Sequence, residues 1–103
     1  MLETPTNPLI KICDISTISS IVHEQCPNAL IVVDNTMMSP YLQKPLELGA
    51  DVVIHSGTKY LSGHHDLMAG IIAVKDKVVA EVNGKHFSIK KSKFLFFFFN
   101  QRN

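Results

Sequence analysis

Apolar residues fall into two kinds of run along this chain. Between Asp14 and Cys26, Ile15, Ile18, Ile21 and Val22 recur at the three-and-four spacing of a helix face. Asp14, just ahead of them, is a good N-cap, so the pattern predicts a helix from about Asp14 to the Cys26-Pro27-Asn28 stop. The other runs are short and continuous: Leu30-Ile31-Val32-Val33, Val52-Val53-Ile54-His55 and Gly70-Ile71-Ile72-Ala73-Val74. Each has the length and β-branched content of a buried strand in a parallel sheet. Polar segments punctuate them. Glu3 to Pro8 and Asn35 to Tyr41 read as loops, Pro45-Leu46-Glu47-Leu48 as a short helical turn stopped by Gly49, and Asp76 as the cap of a helix through about Val82. The order helix, strand, turn, strand, loop, strand, helix describes an α/β layer with its loops gathered at strand ends.

Composition changes this picture at one place. The chain has 103 residues and a net charge of +1, enough for one domain with a modest core and too little charge to draw nucleic acid or a membrane surface. Residues 1–81 carry five Lys and nine acids, whereas residues 82–103 carry four Lys, one Arg, no acid and all six Phe. The Phe94–Phe99 run is far shorter than the ~20 apolar residues that span a bilayer. Phe-rich and Lys-rich stretches are encoded by T-rich and A-rich codons, and the run ending in Asn100-Gln101 resembles a translated polypyrimidine tract. Residues 82–103 are therefore expected to be a non-native or disordered tail, with a hydrophobic terminal helix or strand as the alternative. Cys13 and Cys26 are not in a CxxC pattern and read as reduced thiols of an intracellular, cytoplasmic protein.

The chemistry concentrates in Ser56-Gly57-Thr58-Lys59, directly after the second strand, and in Asp34, which closes the first. Ligands of open α/β sheets bind at such strand ends. An acid ending an apolar run needs a partner, and a protonated pyridine nitrogen is one; a capping or turn aspartate is the alternative. A lysine among hydroxyls and exposed backbone N–H groups suits a phosphate-bearing aldehyde, as in a pyridoxal phosphate (PLP) site, where lysine forms a Schiff base. A plain Ser/Thr-rich turn is the alternative there. His64-His65-Asp66 has no second ligand cluster at zinc spacing, so no metal site is expected. Met37-Met38 reads as packing near the site, and His55 as a strand residue facing a polar neighbour.

Four segments in this order resemble the Cys/Met-metabolism family of PLP-dependent enzymes, the transsulfuration group. They are Glu-Thr-Pro-Thr-Asn-Pro (Glu3–Pro8), Val-Val-Asp-Asn-Thr-Met-Met-Ser-Pro (Val32–Pro40), Pro-Leu-Glu-Leu-Gly-Ala-Asp (Pro45–Asp51) and His-Ser-Gly-Thr-Lys-Tyr-Leu-Ser-Gly-His-His-Asp-Leu-Met-Ala-Gly (His55–Gly70). The resemblance covers about residues 2–81. It implies the central part of the large PLP-binding domain of a fold-type I (aspartate aminotransferase-like) enzyme, a mainly parallel sheet with flanking helices, in residues 1–81. It implies that Lys59 carries the cofactor, Asp34 pairs with the pyridine nitrogen, Ser56 and Thr58 bind phosphate, Asn7 sits near the phenolic oxygen and Thr36 lies against the ring. Gly57 stands where the family often has Ala.

The implied reaction is carbon–sulfur cleavage of cystathionine by α,β-elimination, giving homocysteine, pyruvate and ammonia. Lys59 would move the proton at Cα. Pro45–Asp51 and His65–Gly70 lean toward this over γ-elimination or γ-replacement. Family members are several times longer and homo-oligomeric (dimers or tetramers), so the chain is expected to be a fragment, inactive by itself. A truncated subunit that only interacts with full-length partners, and an α/β binding domain without cofactor, are the competing readings.

Overall fold

The computed structural model describes residues 1–64 and 66–75, together with the backbone of three further strands at 79–82, 85–88 and 94–98. In chain order the elements are β1 (Leu2–Glu3), α1 (Ile15–Gln25), β2 (Val32–Asp34), α2 (Ser39–Leu42), β3 (Val52–Ser56), a wide helical turn (Gly57–Leu61), β4 (Ala69–Val74), β5 (Val79–Val82), β6 (Lys85–Ser88) and β7 (Phe94–Phe98). Five strands form one sheet in the order β1-β2-β3-β4-β7, and β5 pairs with β6 separately. The sheet is mixed and flanked by helices, as in a fragment of a fold-type I PLP enzyme.

β1, β2 and β3 are parallel, with Glu3 opposite Asp34 and Asp34 opposite Ile54. α1 is the crossover between β1 and β2. β4 runs antiparallel to β3, and β7 antiparallel to β4. The reversal follows from the connection. Residues 57–68 hold the wide turn and its exit, and among the described residues there is no crossover helix to carry the chain back to the starting end of the sheet.

α1 starts where the sequence predicts. Asp14 caps it, accepting from the Thr17 N–H (3.1 Å) and the Thr17 hydroxyl (2.8 Å), which satisfies a first-turn donor. Its last turn closes on the Cys26 N–H, which donates to the Val22 carbonyl (2.7 Å). Ile15 of α1 is buried against Ile31, Val33, Ala50 and Val53, flanked by Leu2, Val22, Leu46 and Ala73. Each fully buried Val or Ile contributes about 1.5–3 kcal/mol. Gly49 has φ +101°, and a Cβ there would lie 2.9 Å from Ser19 Cβ, so only glycine lets its loop approach α1 this closely. Asp51 Oδ2 ties the same helix to the sheet, accepting from the Ile31 N–H (2.8 Å) and sitting 2.9 Å from His23 Nε2.

Several expectations shift. The predicted helix through Val82 is not formed at its end: Val79–Val82 is a strand, paired antiparallel with Lys85–Ser88. The two residues between the partners are Asn83 and Gly84, a strong hairpin signal. The expected cap, Asp76, lies outside the described residues. The Asn35–Tyr41 loop contains one helical turn, α2, with Pro40 in its first turn. Phe94–Phe98 pairs along β4 as a strand. The strands also differ from the doubly buried form that their apolar runs suggest. Burial alternates along β2 and β3, with Val33, Val53 and His55 inside and Val32, Val52 and Ile54 half-exposed. Among the described residues α1 packs on one sheet face only.

Candidate functional site

A cleft of about 440 Å³ opens at the carboxyl ends of the parallel strands, lined by Glu3, Asn7, Thr36, Met37, Lys59, Tyr60 and Gly63. Three of the six residues singled out from sequence, Asn7, Thr36 and Lys59, therefore share one concavity of the size that holds small ligands.

Lys59 reaches this place because β3 ends at Ser56 and the chain turns at once. The Ser62 N–H bonds to the Gly57 carbonyl (2.9 Å) and the Gly63 N–H to the Lys59 carbonyl (2.9 Å), which presents Lys59 exposed at the top of the sheet. Gly57 is buried, and a Cβ on it would lie 2.9 Å from Ala69 Cβ, so the turn sits tight against the start of β4. Asn7 comes from the loop after β1, where the Thr4–Pro5 and Asn7–Pro8 bonds are cis. Two hydrogen bonds close that loop, from the Ile10 N–H to the Thr6 carbonyl (2.8 Å) and from the Thr6 N–H to the Lys11 carbonyl (3.0 Å).

Asp34 ends β2 just outside the cleft lining. Its Oδ1 accepts from the Thr36 N–H (3.0 Å) and from the Thr36 hydroxyl (2.6 Å). The same hydroxyl oxygen accepts from the Ser56 N–H (2.8 Å). Asp34, Thr36 and Ser56 thus form one chain of contacts across the ends of β2 and β3. Thr58 is placed differently: its hydroxyl oxygen accepts from the Ala69 N–H (3.0 Å), bracing the turn against β4. The O–H of Thr58 remains available to donate.

A second polar network lies beneath these residues. Asn35 is fully buried. Its Nδ2 donates to the carbonyls of Ser39 (3.0 Å) and Gln43 (2.8 Å), and its Oδ1 accepts from Gln43 Nε2 (2.8 Å). Gln43 Nε2 also donates to the Thr4 carbonyl (3.0 Å). Thr4, buried as well, exchanges two bonds with the backbone of Cys13. The network joins the loop that carries Asn7 to the end of β2 and to α2.

Sequence reasoning missed Glu3, Tyr60 and Gly63 as cleft residues and Gln43 as a support. Glu3 carried a signal, since it opens the Thr-Pro-Thr-Asn-Pro segment; Gln43 carried none. His55 is 5% exposed, and its Nδ1 has no partner among the described residues. Burial pulls its pKa below the ordinary histidine value, opposed by the charge of Asp34 and by the Asn35 backbone. His65 lies outside the described residues, and among those described no group of three or more His, Cys, Asp or Glu could hold a metal ion. Among the same residues no helix is long and apolar enough to cross a membrane. Cys13 and Cys26 are both free thiols.

Comparison with known proteins places these features in context. The family model described as Cys/Met metabolism PLP-dependent enzyme matches residues 1–91. The cystathionine beta-lyase of Neurospora crassa is 70% identical over 76 residues, covering 74% of this chain and 17% of that protein. The cystathionine gamma-synthase/O-acetylhomoserine (thiol)-lyase of Bacillus subtilis is 54% identical over 85 residues, 82% of this chain and 22% of that protein. The crystal structure of cystathionine gamma-lyase from Lactobacillus plantarum, complexed with L-serine, superposes with a TM-score of 0.66 at 49% identity, over 71% of this chain and 19% of that one. The chain spans about a fifth of the length of the curated relatives it matches.

Proposed function

Since the chain belongs to the Cys/Met metabolism PLP-dependent enzyme family, we propose that it carries the lysine side of a PLP site serving carbon–sulfur chemistry on a sulfur amino acid. The observation that carries this reading is the convergence of Lys59, Asn7 and Thr36 on one cleft, with Asp34 bonded to Thr36 at its edge. The residues suit the group. An exposed lysine can condense with the aldehyde, a carboxylate with one oxygen unpartnered among the described residues can hold a protonated pyridine nitrogen, and the Ser56 and Thr58 hydroxyls can donate to phosphate. Asn7 would face the phenolic oxygen, and Thr36 the ring. Bound there, PLP supplies an electron sink that stabilises negative charge at Cα of the substrate. Lys59 would remove the proton at that carbon and could hand it to the departing sulfur.

Relatives named as β-lyase, γ-lyase and γ-synthase all match this region, so the reading is carbon–sulfur bond chemistry at the β or γ carbon of a cystathionine-type substrate. The 70% identity to the N. crassa enzyme favours α,β-elimination to homocysteine, pyruvate and ammonia. The γ reactions are the second reading, favoured by the L. plantarum structure. The substrate is then a small amino acid, and the working assembly a homo-oligomer of full-length subunits.

The test is covalent trapping. The chain is incubated with PLP, reduced with borohydride and mapped by peptide mass spectrometry. Label is expected on Lys59 well above Lys11, Lys44 and Lys75, and should vanish in Lys59→Ala. Labelling of Lys59 no greater than that of Lys11, Lys44 and Lys75 would refute the reading.

A further inference from the structure

We propose that Thr36 is a positioning residue, locking the Asp34 carboxylate to the entry of the lysine-bearing turn and so deciding which carboxylate oxygen faces the cofactor. The cofactor half rests on the reading above; the lock itself does not.

A threonine hydroxyl has one proton to give and two lone pairs. Here the proton goes to Asp34 Oδ1 at 2.6 Å, and a lone pair takes the Ser56 N–H at 2.8 Å. Ser56 is the last residue of β3 and directly precedes the turn that presents Lys59. One side chain therefore fixes the acid at the end of β2 relative to the lysine after β3. Oδ1 also accepts the Thr36 N–H at 3.0 Å, so it already holds two donors, while Oδ2 has none among the described residues. Oδ2 is the oxygen left for a pyridine nitrogen. A donor–acceptor series of this kind reinforces itself, because each bond polarises the next. With the hydroxyl committed, the β-branched side chain is stiff about χ1 and has its methyl left to meet a ring. A carboxylate free to rotate would lose orientation toward the cofactor, and the turn would lose its anchor to β2.

The variants that isolate this role are Thr36→Val, which keeps the shape and removes both hydroxyl bonds, and Thr36→Ser, which keeps the hydroxyl. Amide hydrogen exchange is measured on the full chain without cofactor, with Val33 and Val53 amides as fold controls. The Ser56 amide is expected to exchange about tenfold faster in Thr36→Val and near the original rate in Thr36→Ser. In the PLP trapping experiment, Lys59 selectivity should fall several-fold in Thr36→Val and recover in Thr36→Ser. Unchanged Ser56 exchange in Thr36→Val overturns the lock. Should the controls also lose protection in that variant, Thr36→Ser decides: loss of Ser56 protection there overturns it. Faster exchange with unchanged trapping selectivity overturns the cofactor half alone. An original chain that shows no preference for Lys59 removes the cofactor reading, and the exchange result still decides the lock.

Discussion

Replacing Asn35 with alanine should cost the fold about 2–4 kcal/mol. Asn35 is fully buried and its side chain takes part in three hydrogen bonds, two given by Nδ2 and one received by Oδ1. At ~0.5–1.5 kcal/mol net for each, their loss sums to roughly 1.5–4.5 kcal/mol. The fate of the three partners narrows the range. The Ser39 carbonyl keeps the Gln43 N–H (3.3 Å), and Gln43 Nε2 keeps the Thr4 carbonyl (3.0 Å). Only the Gln43 carbonyl is left without a partner among the described residues. The vacated amide volume adds a cavity that the surrounding backbone closes in part. Domains of this size have about 5–15 kcal/mol in total, so the shift is large enough to read by urea unfolding followed by circular dichroism. Asn35→Asp should be worse than alanine, because it removes both donors and buries a charge opposite two carbonyl oxygens. A loss below about 1 kcal/mol for Asn35→Ala, or an aspartate variant as stable as the original, would refute the account of this network.

Acid should weaken the fold through His55, whose pKa burial lowers from 6.5. Below pH 6.5 the unfolded chain takes up that proton before the folded one does, so stability falls as pH drops from 6.5 toward the folded value. In urea titrations at several pH values, His55→Gln should flatten the slope in that window, and an unchanged slope would reject the assignment. Asp51→Ala should cost about 1–3 kcal/mol by stranding the Ile31 N–H, whereas His23→Ala should cost under about 1 kcal/mol, because its contact to Asp51 is 39% exposed on the histidine side. Denaturant midpoints of the two variants check the order, and a reversed order would show that the histidine contact and not the backbone bond carries the link.

How far the sequence could be read depended on whether a signal was local. α1 was legible because its cap and its apolar spacing lie within one segment, and Asp14 bonds to Thr17 as that pattern requires. The three strand cores were legible from β-branched content, and the lysine turn from its position after one of them. What escaped depends on partners distant in sequence. The antiparallel return of β4 is set by the absence of a crossover helix, and Val79–Val82 became a strand by pairing with Lys85–Ser88, although Asn83-Gly84 held a clue. In the site, Lys59, Asn7 and Thr36 were expected together and line one cleft. The hydroxyl of Thr36 could not be assigned to Asp34 and Ser56 beforehand, because Ser56 lies on another strand. Gln43 was invisible for the same reason: nothing near it marks a glutamine that reaches Thr4 and Asn35.

The alternation of burial along the strands explains why the chemistry gathers where it does. In the β2–β3 register Val33 pairs with Val53, and these two face α1, where the apolar core forms. One position on, Asp34 pairs with Ile54, and in the β1–β2 register it pairs with Glu3. Side chains of paired residues in adjacent strands share a face. Glu3, Asp34, Ile54 and Ser56 therefore belong to the face opposite α1, the face that stays half-exposed along β2 and β3. A carboxylate on the α1 face would be desolvated among Ile15, Val33 and Val53 without a charge to offset it. On the opposite face, Asp34 keeps one oxygen held by Thr36 and one without a partner among the described residues. The period of two thus does two jobs in the same residues. It sends every second side chain into a core that anchors the strands, and it leaves the intervening ones at the strand ends to form a polar site whose geometry that core holds still.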